Sequence, residues 1–243
     1  MKFVHIMGVP FIHIDQLGFV RLLEERIEQM QRTFVITANP EVVMKAKNES
    51  DFMTIIKQAN FVTADGIGVV KAAQLLGDPL PGRVTGYDTM MALLESANKK
   101  KYKIFLLGGK KETLNKAKST INAQFPNIDI VGSEDGYFNW EENTIAEQIE
   151  QLKPDITFVA LGVPRQEKWI YENINRFSQG VFIGVGGSLD VLAGTVQRAP
   201  VIWQKMNLEW LYRLLRQPSR WRRMLALPIF AGEIIKQKIK GSR

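Results

Sequence analysis

The sequence predicts an α/β fold: a Rossmann-like, largely parallel sheet flanked by helices, with an N-terminal β-hairpin and a helical, basic C-terminal appendage. Two observations predict the sheet. Short, apolar, β-branched runs recur along the chain, and amphipathic stretches with helical periodicity separate them. A third observation, the concentration of Lys and Arg near the C-terminus, predicts the appendage. With 243 residues, the chain suits one domain with such an extension.

Strands and helices alternate in the order that a parallel sheet requires. Residues 2–7 and 9–14 form the predicted hairpin. The further predicted strands are 33–37, 61–64, 103–107, 128–131, 156–161 and 181–185. The predicted helices are 16–30, 40–59, 67–76, 87–99, 111–124, 141–151 and 165–176.

The charge distribution divides the chain at residue 200. The whole protein carries a net charge of +7, yet residues 201–243 alone carry +8, so the first 200 residues are almost neutral. We predict that 1–200 is the catalytic α/β domain and that 201–243 is a basic, amphipathic, membrane-associating appendage. Pro218 is expected to divide this appendage into two helices.

Composition excludes several classes of protein. The chain has no Cys, which excludes a disulfide scaffold, thiolate catalysis and cysteine-bound zinc, and only two His, which disfavours a histidine-rich metal site. The N-terminus alternates and reaches Asp15 early, unlike a secretory signal. The apolar run 224–232 is too short to span a bilayer. We therefore expect no cofactor, no metal and a cytoplasmic location, peripheral on the inner face of the cell membrane.

Polar and Gly-rich loops follow the predicted strands, at the edge where parallel sheets bind ligands. Asp65 comes directly after strand 61–64. One interpretation is an N-cap of the next helix, which is the common role of such an Asp. The other is a general base that a substrate reaches past the neighbouring Gly66 and Gly68.

Three further polar residues stand at strand ends. Thr37 and Asn39 end strand 33–37, where Pro40 suits the first turn of a helix. Capping accounts for one of them and leaves the other as a candidate for the same edge as Asp65. Gln166 is placed over this edge by the loop before it, whereas Glu167 is interpreted as part of a solvated first helical turn.

Phosphate groups have two candidate sites. The Gly-rich loop 184–188 joins a strand to a helix, so the backbone around Gly186 and Gly187 is a candidate anion site, with Asp190 as a further substrate-binding candidate. Arg83 lies in a Pro-rich loop and is the candidate cation. The loop 184–188 does not meet the dinucleotide fingerprint, and the loop 108–111 lacks the P-loop spacing and its Ser or Thr, so both interpretations are weak.

The basic tail has three interpretations. Its Trp and Arg residues alternate, which is compatible with nucleic acid, a membrane interface or a simple amphipathic helix pair. The apolar run 224–232, followed by Lys236, Lys238 and Lys240, favours a membrane surface. We accordingly expect no nucleic-acid partner.

Eight motifs in order resemble the WecG/TagA/CpsF family of bacterial glycosyltransferases, over essentially the whole chain. They are TANPE (37–41), ADGIGVV (64–70), RVTGYD (83–88), FLLGG (105–109), FVALGVPRQEKW (158–169), GVGGSLDVLAG (184–194), QRAP (197–200) and LEWLYRLLRQPSRWRRM (208–224). Any one of them alone is a weak signal. The ordered set is specific.

The resemblance implies an inverting transfer of N-acetylmannosamine from a UDP-sugar donor to the 4-hydroxyl of N-acetylglucosamine on undecaprenyl diphosphate. It implies Asp65 as the general base, with Thr37, Asn39 and Gln166 at polar active-site positions. It also implies that three tail arginines meet the lipid diphosphate: Arg213, Arg220 and Arg223.

Two other functions stay open on sequence grounds. One is a related enzyme that uses another UDP sugar, because the orientation of one hydroxyl leaves no mark in a sequence. The other is a non-catalytic nucleotide-binding module whose tail binds RNA or DNA. The sequence contains no D-x-D metal-binding motif, which favours a metal-independent transferase. The sequence leaves open whether the protein is a homo-oligomer.

Overall fold

A computed structural model describes residues 1–218 and 221–241. Its strands form one sheet in the order β1-β2-β4-β3-β8-β7-β5-β6. β1 and β2 are an antiparallel pair and the other pairings are parallel, as predicted. The strands are β1 Phe3–Ile6, β2 Val9–Ile12, β3 Thr33–Ala38, β4 Phe61–Ala64, β5 Lys103–Gly108, β6 Asp129–Glu134, β7 Ile156–Ala160 and β8 Val181–Gly184.

Helices cover both faces of the sheet. They are α1 Gln16–Glu28, α2 Pro40–Asn48, α3 Ser50–Gln58, α4 Ile67–Leu76, α5 Gly86–Lys100, α6 Lys111–Gln124, α7 Ile145–Leu152, α8 Arg165–Asn173, α9 Ser188–Leu192, α10 Val201–Lys205, α11 Glu209–Arg216, α12 Trp221–Met224 and α13 Ala226–Gly241, with a 3₁₀ turn at Ile174–Arg176. Every residue of β3 and β7 is buried, which explains their continuous apolar sequences.

Two predicted helices differ from the observed ones. The stretch 40–59 is two helices, because Glu49 is extended between them. This bend allows the apolar residues of both α2 and α3 to reach one core. The stretch 141–151 becomes helical only at Ile145, because the side chains of Asn139 and Asn143 accept hydrogen bonds from nearby backbone amides and form turns.

The tail has four helices in the described residues, so the prediction of two was wrong. Asn207 adopts a left-handed conformation (φ 61°) and separates α10 from α11. Pro218 lies between α11 and α12, where it was expected to divide the tail. Pro228 lies in the first turn of α13, where its missing amide hydrogen costs no helical hydrogen bond.

The last helix packs on the body of the protein. Phe230 and Ile234 of α13 are only 4% and 2% exposed and belong to the main hydrophobic core. Gln237 accepts a 3.1 Å hydrogen bond from the amide of Met7, and Glu233 pairs with a lysine of α2. The boundary at residue 200 stays a prediction, but α13 contributes directly to the core.

None of the described helices is long and apolar enough to cross a membrane.

Candidate active site

A cavity of about 590 Å³ lies at the carboxyl ends of β3, β4 and β8. This volume falls in the range of small-molecule sites. The body and the tail both line it. Residues of the body in the lining include Thr37, Asn39, Asp65, Arg83, Tyr87, Gln166, Gly186, Gly187 and Arg198, and those of the tail include Glu209, Arg213 and Arg223.

Asp65 lines the cavity and does not cap α4. The N-cap of α4 is Gly66, whose φ of 127° favours glycine, and no side chain bonds to this cap. The capping interpretation of Asp65 was therefore wrong. Its Oδ2 instead lies 3.5 Å from the amide nitrogen of Gly86, at the start of α5.

The pKa of Asp65 is raised to about 6, chiefly because burial disfavours its charged form. Arg213 has the next largest effect and lowers the pKa; the Gly86 amide and Arg83 also lower it, whereas Glu209 raises it. The carboxyl is therefore ionised at neutral pH, yet more basic than an ordinary aspartate.

Thr37 and Asp65 both lie close to Gly86, at the start of α5. Oγ1 of Thr37 donates a 2.9 Å hydrogen bond to the carbonyl of Gly184, which joins the ends of β3 and β8. A side chain at Gly86 would meet this hydroxyl, because a Cβ there would lie 3.1 Å from Oγ1. Glycine at this position thus allows the start of α5 to approach both residues.

Asn39 is the N-cap of α2. Its side chain accepts a 3.0 Å hydrogen bond from the amide of Val42, and Pro40 occupies the first turn as predicted. The capping interpretation is correct for this residue, and Asn39 also lines the cavity.

Gln166 and Glu167 form a buried pair at the start of α8. Nε2 of Gln166 donates to Oε1 of Glu167 at 2.7 Å, and Oε1 of Gln166 accepts from the amide of Gly186 at 3.1 Å. Glu167 is 0% exposed, so its interpretation as solvated was wrong. Burial raises the pKa of Glu167 to about 7. A sequence signal for this burial was the spacing of Glu167 from Ile170, because residues three positions apart lie on the same face of a helix and this face of α8 is buried.

The Gly-rich loop differs from a simple anion site. The amide of Gly186 already donates to Gln166, and α9 is only five residues long. Gly187 is exposed and lines the cavity. Asp190 lies in the first turn of α9, outside the set of residues that line the cavity.

Arginines of the body and the tail meet around one carboxylate. Glu209 Oε1 accepts a 2.7 Å hydrogen bond from Nη2 of Arg213, and its Oε2 lies 3.9 Å from Nη1 of Arg83. Arg223 lies farther out, with Nε 3.8 Å from a carboxylate oxygen of Glu41. Arg220 lies outside the described residues.

Glu209, Arg198 and Tyr87 also line the cavity and were not among the predicted site residues. For Glu209, its spacing of four residues from Arg213 was an available signal. The guanidinium of Arg198 lies 4.6 Å from the centre of the Tyr87 ring and pairs with Asp88 at 2.7 Å. All three lining residues lie within motifs that carry the family resemblance.

Across residues 1–218 and 221–241, no three His, Asp or Glu side chains converge as metal ligands would. A cavity at the carboxyl edge of a parallel sheet, with one basic carboxylate and several arginines, is typical of α/β enzymes that act on anionic substrates.

Comparison with known proteins shows which kind of enzyme this is. The model of the glycosyl transferase WecG/TagA/CpsF family matches residues 4–243. The chain belongs to this family, so it is a glycosyltransferase.

Curated relatives span nearly the same length. A protein of Bacillus subtilis (strain 168) is 41% identical over 234 residues, which are 96% of this chain and 91% of that protein. One of Staphylococcus aureus (strain MW2) is 38% identical over 239 residues, which are 98% of this chain and 94% of that protein. Both are named N-acetylglucosaminyldiphosphoundecaprenol N-acetyl-beta-D-mannosaminyltransferase.

Proposed function

We propose that the protein transfers N-acetylmannosamine from UDP-N-acetylmannosamine to the 4-hydroxyl of N-acetylglucosaminyl-diphospho-undecaprenol, in the synthesis of the wall teichoic acid linkage unit. The observation that carries the proposal is the similarity, along nearly the whole chain, to relatives named for this acceptor and this sugar. The cavity supports it, because it combines a candidate base with cations suited to diphosphates.

Asp65 is the proposed general base of a single displacement. It takes the proton of the acceptor hydroxyl while that oxygen forms a bond to the anomeric carbon of the donor sugar. The bond from this carbon to the diphosphate breaks, and UDP leaves with the electron pair, so the configuration inverts to a β linkage. The raised pKa of Asp65, about 6, supports this role, because such a base is ionised at neutral pH and still accepts a proton effectively.

Arginines are proposed to stabilise the diphosphates in place of a metal ion. The chain has no D-x-D motif, and Arg83, Arg213 and Arg223 line the cavity. Fixed cations in a partly dehydrated site stabilise the charge that develops on a leaving group. We assign Arg220 to the same set, on the strength of the family resemblance.

The other candidate residues are given positioning or contact roles. Thr37 fixes the end of β8, and Gln166 fixes the loop that contains Gly186. Asn39 and Gly187 face the cavity and are proposed to contact substrate. Asp190 lies farther away and is proposed to bind substrate only at the outer edge of the site.

The tail is proposed to lie on the inner face of the cell membrane. Its basic residues accompany large apolar side chains that are exposed to solvent, a combination typical of membrane-surface segments. These exposed side chains include Ile202, Met206, Leu215, Trp221 and Leu225.

The test is product identification with a panel of UDP sugars and a short-chain diphosphate-linked N-acetylglucosamine acceptor. We expect a disaccharide with a β-linked N-acetylmannosamine at the 4-position, formed at the same rate with and without EDTA. Transfer of a different sugar would identify a related transferase instead. Loss of activity in EDTA, restored by magnesium or manganese, would refute the metal-free mechanism.

A further inference from the structure

The cavity has a charged end and an apolar end. Asp65 and the arginines that face Glu209 form the charged end. Part of the remaining lining lies on α4 and α13, which pack against each other. We call this apolar part the α4–α13 groove; it is lined by Ala72, Leu75, Leu227, Phe230, Ala231 and Ile235.

The α4–α13 groove has a buried base and an open rim. Ala72 and Phe230 are each 4% exposed, whereas Leu75 and Ile235 at the rim are 41% and 52% exposed. Burial of apolar surface in a concave site is a favourable source of binding energy. The groove therefore suits a hydrocarbon chain that enters from the surface of the protein.

We infer that the α4–α13 groove binds the first isoprenoid units of the lipid-linked acceptor, an inference that rests on the proposed function. The acceptor carries a diphosphate next to a branched hydrocarbon, and this one cavity combines arginines with an apolar groove. A peptide or a second copy of the chain would not need the arginines.

The groove also distinguishes the two diphosphates of the reaction. A sugar nucleotide and a lipid-linked sugar both carry a diphosphate that arginines recognise. Only the lipid-linked acceptor also carries a hydrocarbon that gains free energy from the groove. The groove thereby directs the acceptor to one side of Asp65. The diphosphate of the acceptor then does not bind in the place of the donor's diphosphate.

Two soluble probes test the inference without any turnover. Farnesyl diphosphate and dimethylallyl diphosphate share the diphosphate and differ in the length of the isoprenoid chain. Their dissociation constants are measured by calorimetry, below the concentration at which either aggregates. We expect the wild-type protein to bind farnesyl diphosphate at least about tenfold more tightly, because the longer chain buries more apolar surface.

A matched pair of variants locates the binding surface. Ile235→Glu places a charge on the rim of the groove, whereas Ile229→Glu makes the same change on the same helix, at a residue that is 55% exposed and outside the lining. We expect Ile235→Glu to abolish most of the preference for farnesyl diphosphate and Ile229→Glu to retain it. Equal affinities in the wild type, or equal effects of the two variants, would overturn the inference. Absence of sugar transfer would count against the proposed function alone.

Discussion

Arg83 of the body and Glu209 of the tail face each other across the cavity, with Nη1 and Oε2 3.9 Å apart. The same carboxylate accepts a 2.7 Å hydrogen bond from Arg213. Glu209 thus contacts both arginines that are proposed to bind diphosphate. A diphosphate substrate must compete with Glu209 for Arg83 and Arg213.

Glu209→Gln should therefore change both binding and pH dependence. We expect inorganic pyrophosphate to bind about threefold more tightly, since a partly exposed ion pair contributes about 0.2–1 kcal/mol. The charge of Glu209 also raises the pKa of Asp65, so the acidic limb of the pH–rate profile should move to lower pH. Calorimetry and a pH series of kcat/KM measure these effects. An unchanged pH–rate profile would mean that Glu209 does not influence the pKa of Asp65.

Asp65→Asn should lower the rate of transfer by about 10²- to 10⁴-fold, the usual cost of losing a general base. In the wild type, the ionised carboxylate is the active form, so activity should fall as the pH drops through about 6. UDP binding and the thermal midpoint should stay close to wild type. Asp78→Asn, at an exposed ion pair with Lys2, is the control. Near-normal turnover in folded Asp65→Asn would refute the assignment.

Arg213→Glu should reduce kcat/KM on a soluble acceptor by about ten- to a hundredfold, because hydrogen bonds to charged groups contribute about 1.5–3 kcal/mol. Arg216→Glu is the matched control. It makes the same charge change in α11, but Arg216 bonds to Tyr212 and Gln197 rather than lining the cavity. Steady-state kinetics without vesicles exclude any effect of membrane affinity. Equal losses in both variants would show that net charge, not position, matters.

Glu167→Gln should stabilise the protein at high pH. The folded carboxyl has a pKa of about 7 against an ordinary value of 4.5, so the wild type loses stability as the pH rises through this interval. The amide of the variant does not titrate and still accepts the hydrogen bond from Gln166. The stability difference should grow by about 3 kcal/mol between pH 4 and pH 8, since one pKa unit corresponds to about 1.4 kcal/mol.

Denaturant titrations at several pH values measure this difference. A difference that is independent of pH would mean that Glu167 is not neutralised by burial.

The tail should bind anionic vesicles in a salt-sensitive manner, because each basic residue near such a surface contributes about 1 kcal/mol. The double variant Leu215→Glu and Leu225→Glu should lose this binding. The double variant Leu17→Glu and Leu152→Glu alters exposed leucines of the body by the same charge and should retain it. Sedimentation with phosphatidylglycerol vesicles measures the effect, and equal losses would place the membrane surface elsewhere.

The centre of the sheet was predictable because four of its strands, β3, β4, β7 and β8, are buried along their whole length. Strands such as β3 and β7 consequently have nearly continuous apolar sequences, and the ends of β3, β4 and β7 place Thr37, Asp65 and Gln166 at one edge. Parallel strands share this edge by geometry, so sequence order alone locates the site.

Interactions between distant segments were not predictable in the same way. The contact of Arg83 with Glu209 depends on how the tail folds back, and nothing near either residue indicates it. Glu167 illustrates a second limit. Its spacing from Ile170 indicates the buried face of α8, but a charged residue at the start of a helix is usually solvated, and the packing of α8 on the sheet decides between the two.

The cavity brings together residues from Thr37 near one end of the chain to Ile235 near the other. During synthesis, the early strands leave the ribosome long before α13 does. The amide of Met7 can form its hydrogen bond to Gln237 only after that residue, 230 positions later, has been synthesised. A nascent chain without the tail would therefore present an open half-site that lacks Arg213 and the α13 wall, so the complete cavity forms only after α13 has been synthesised.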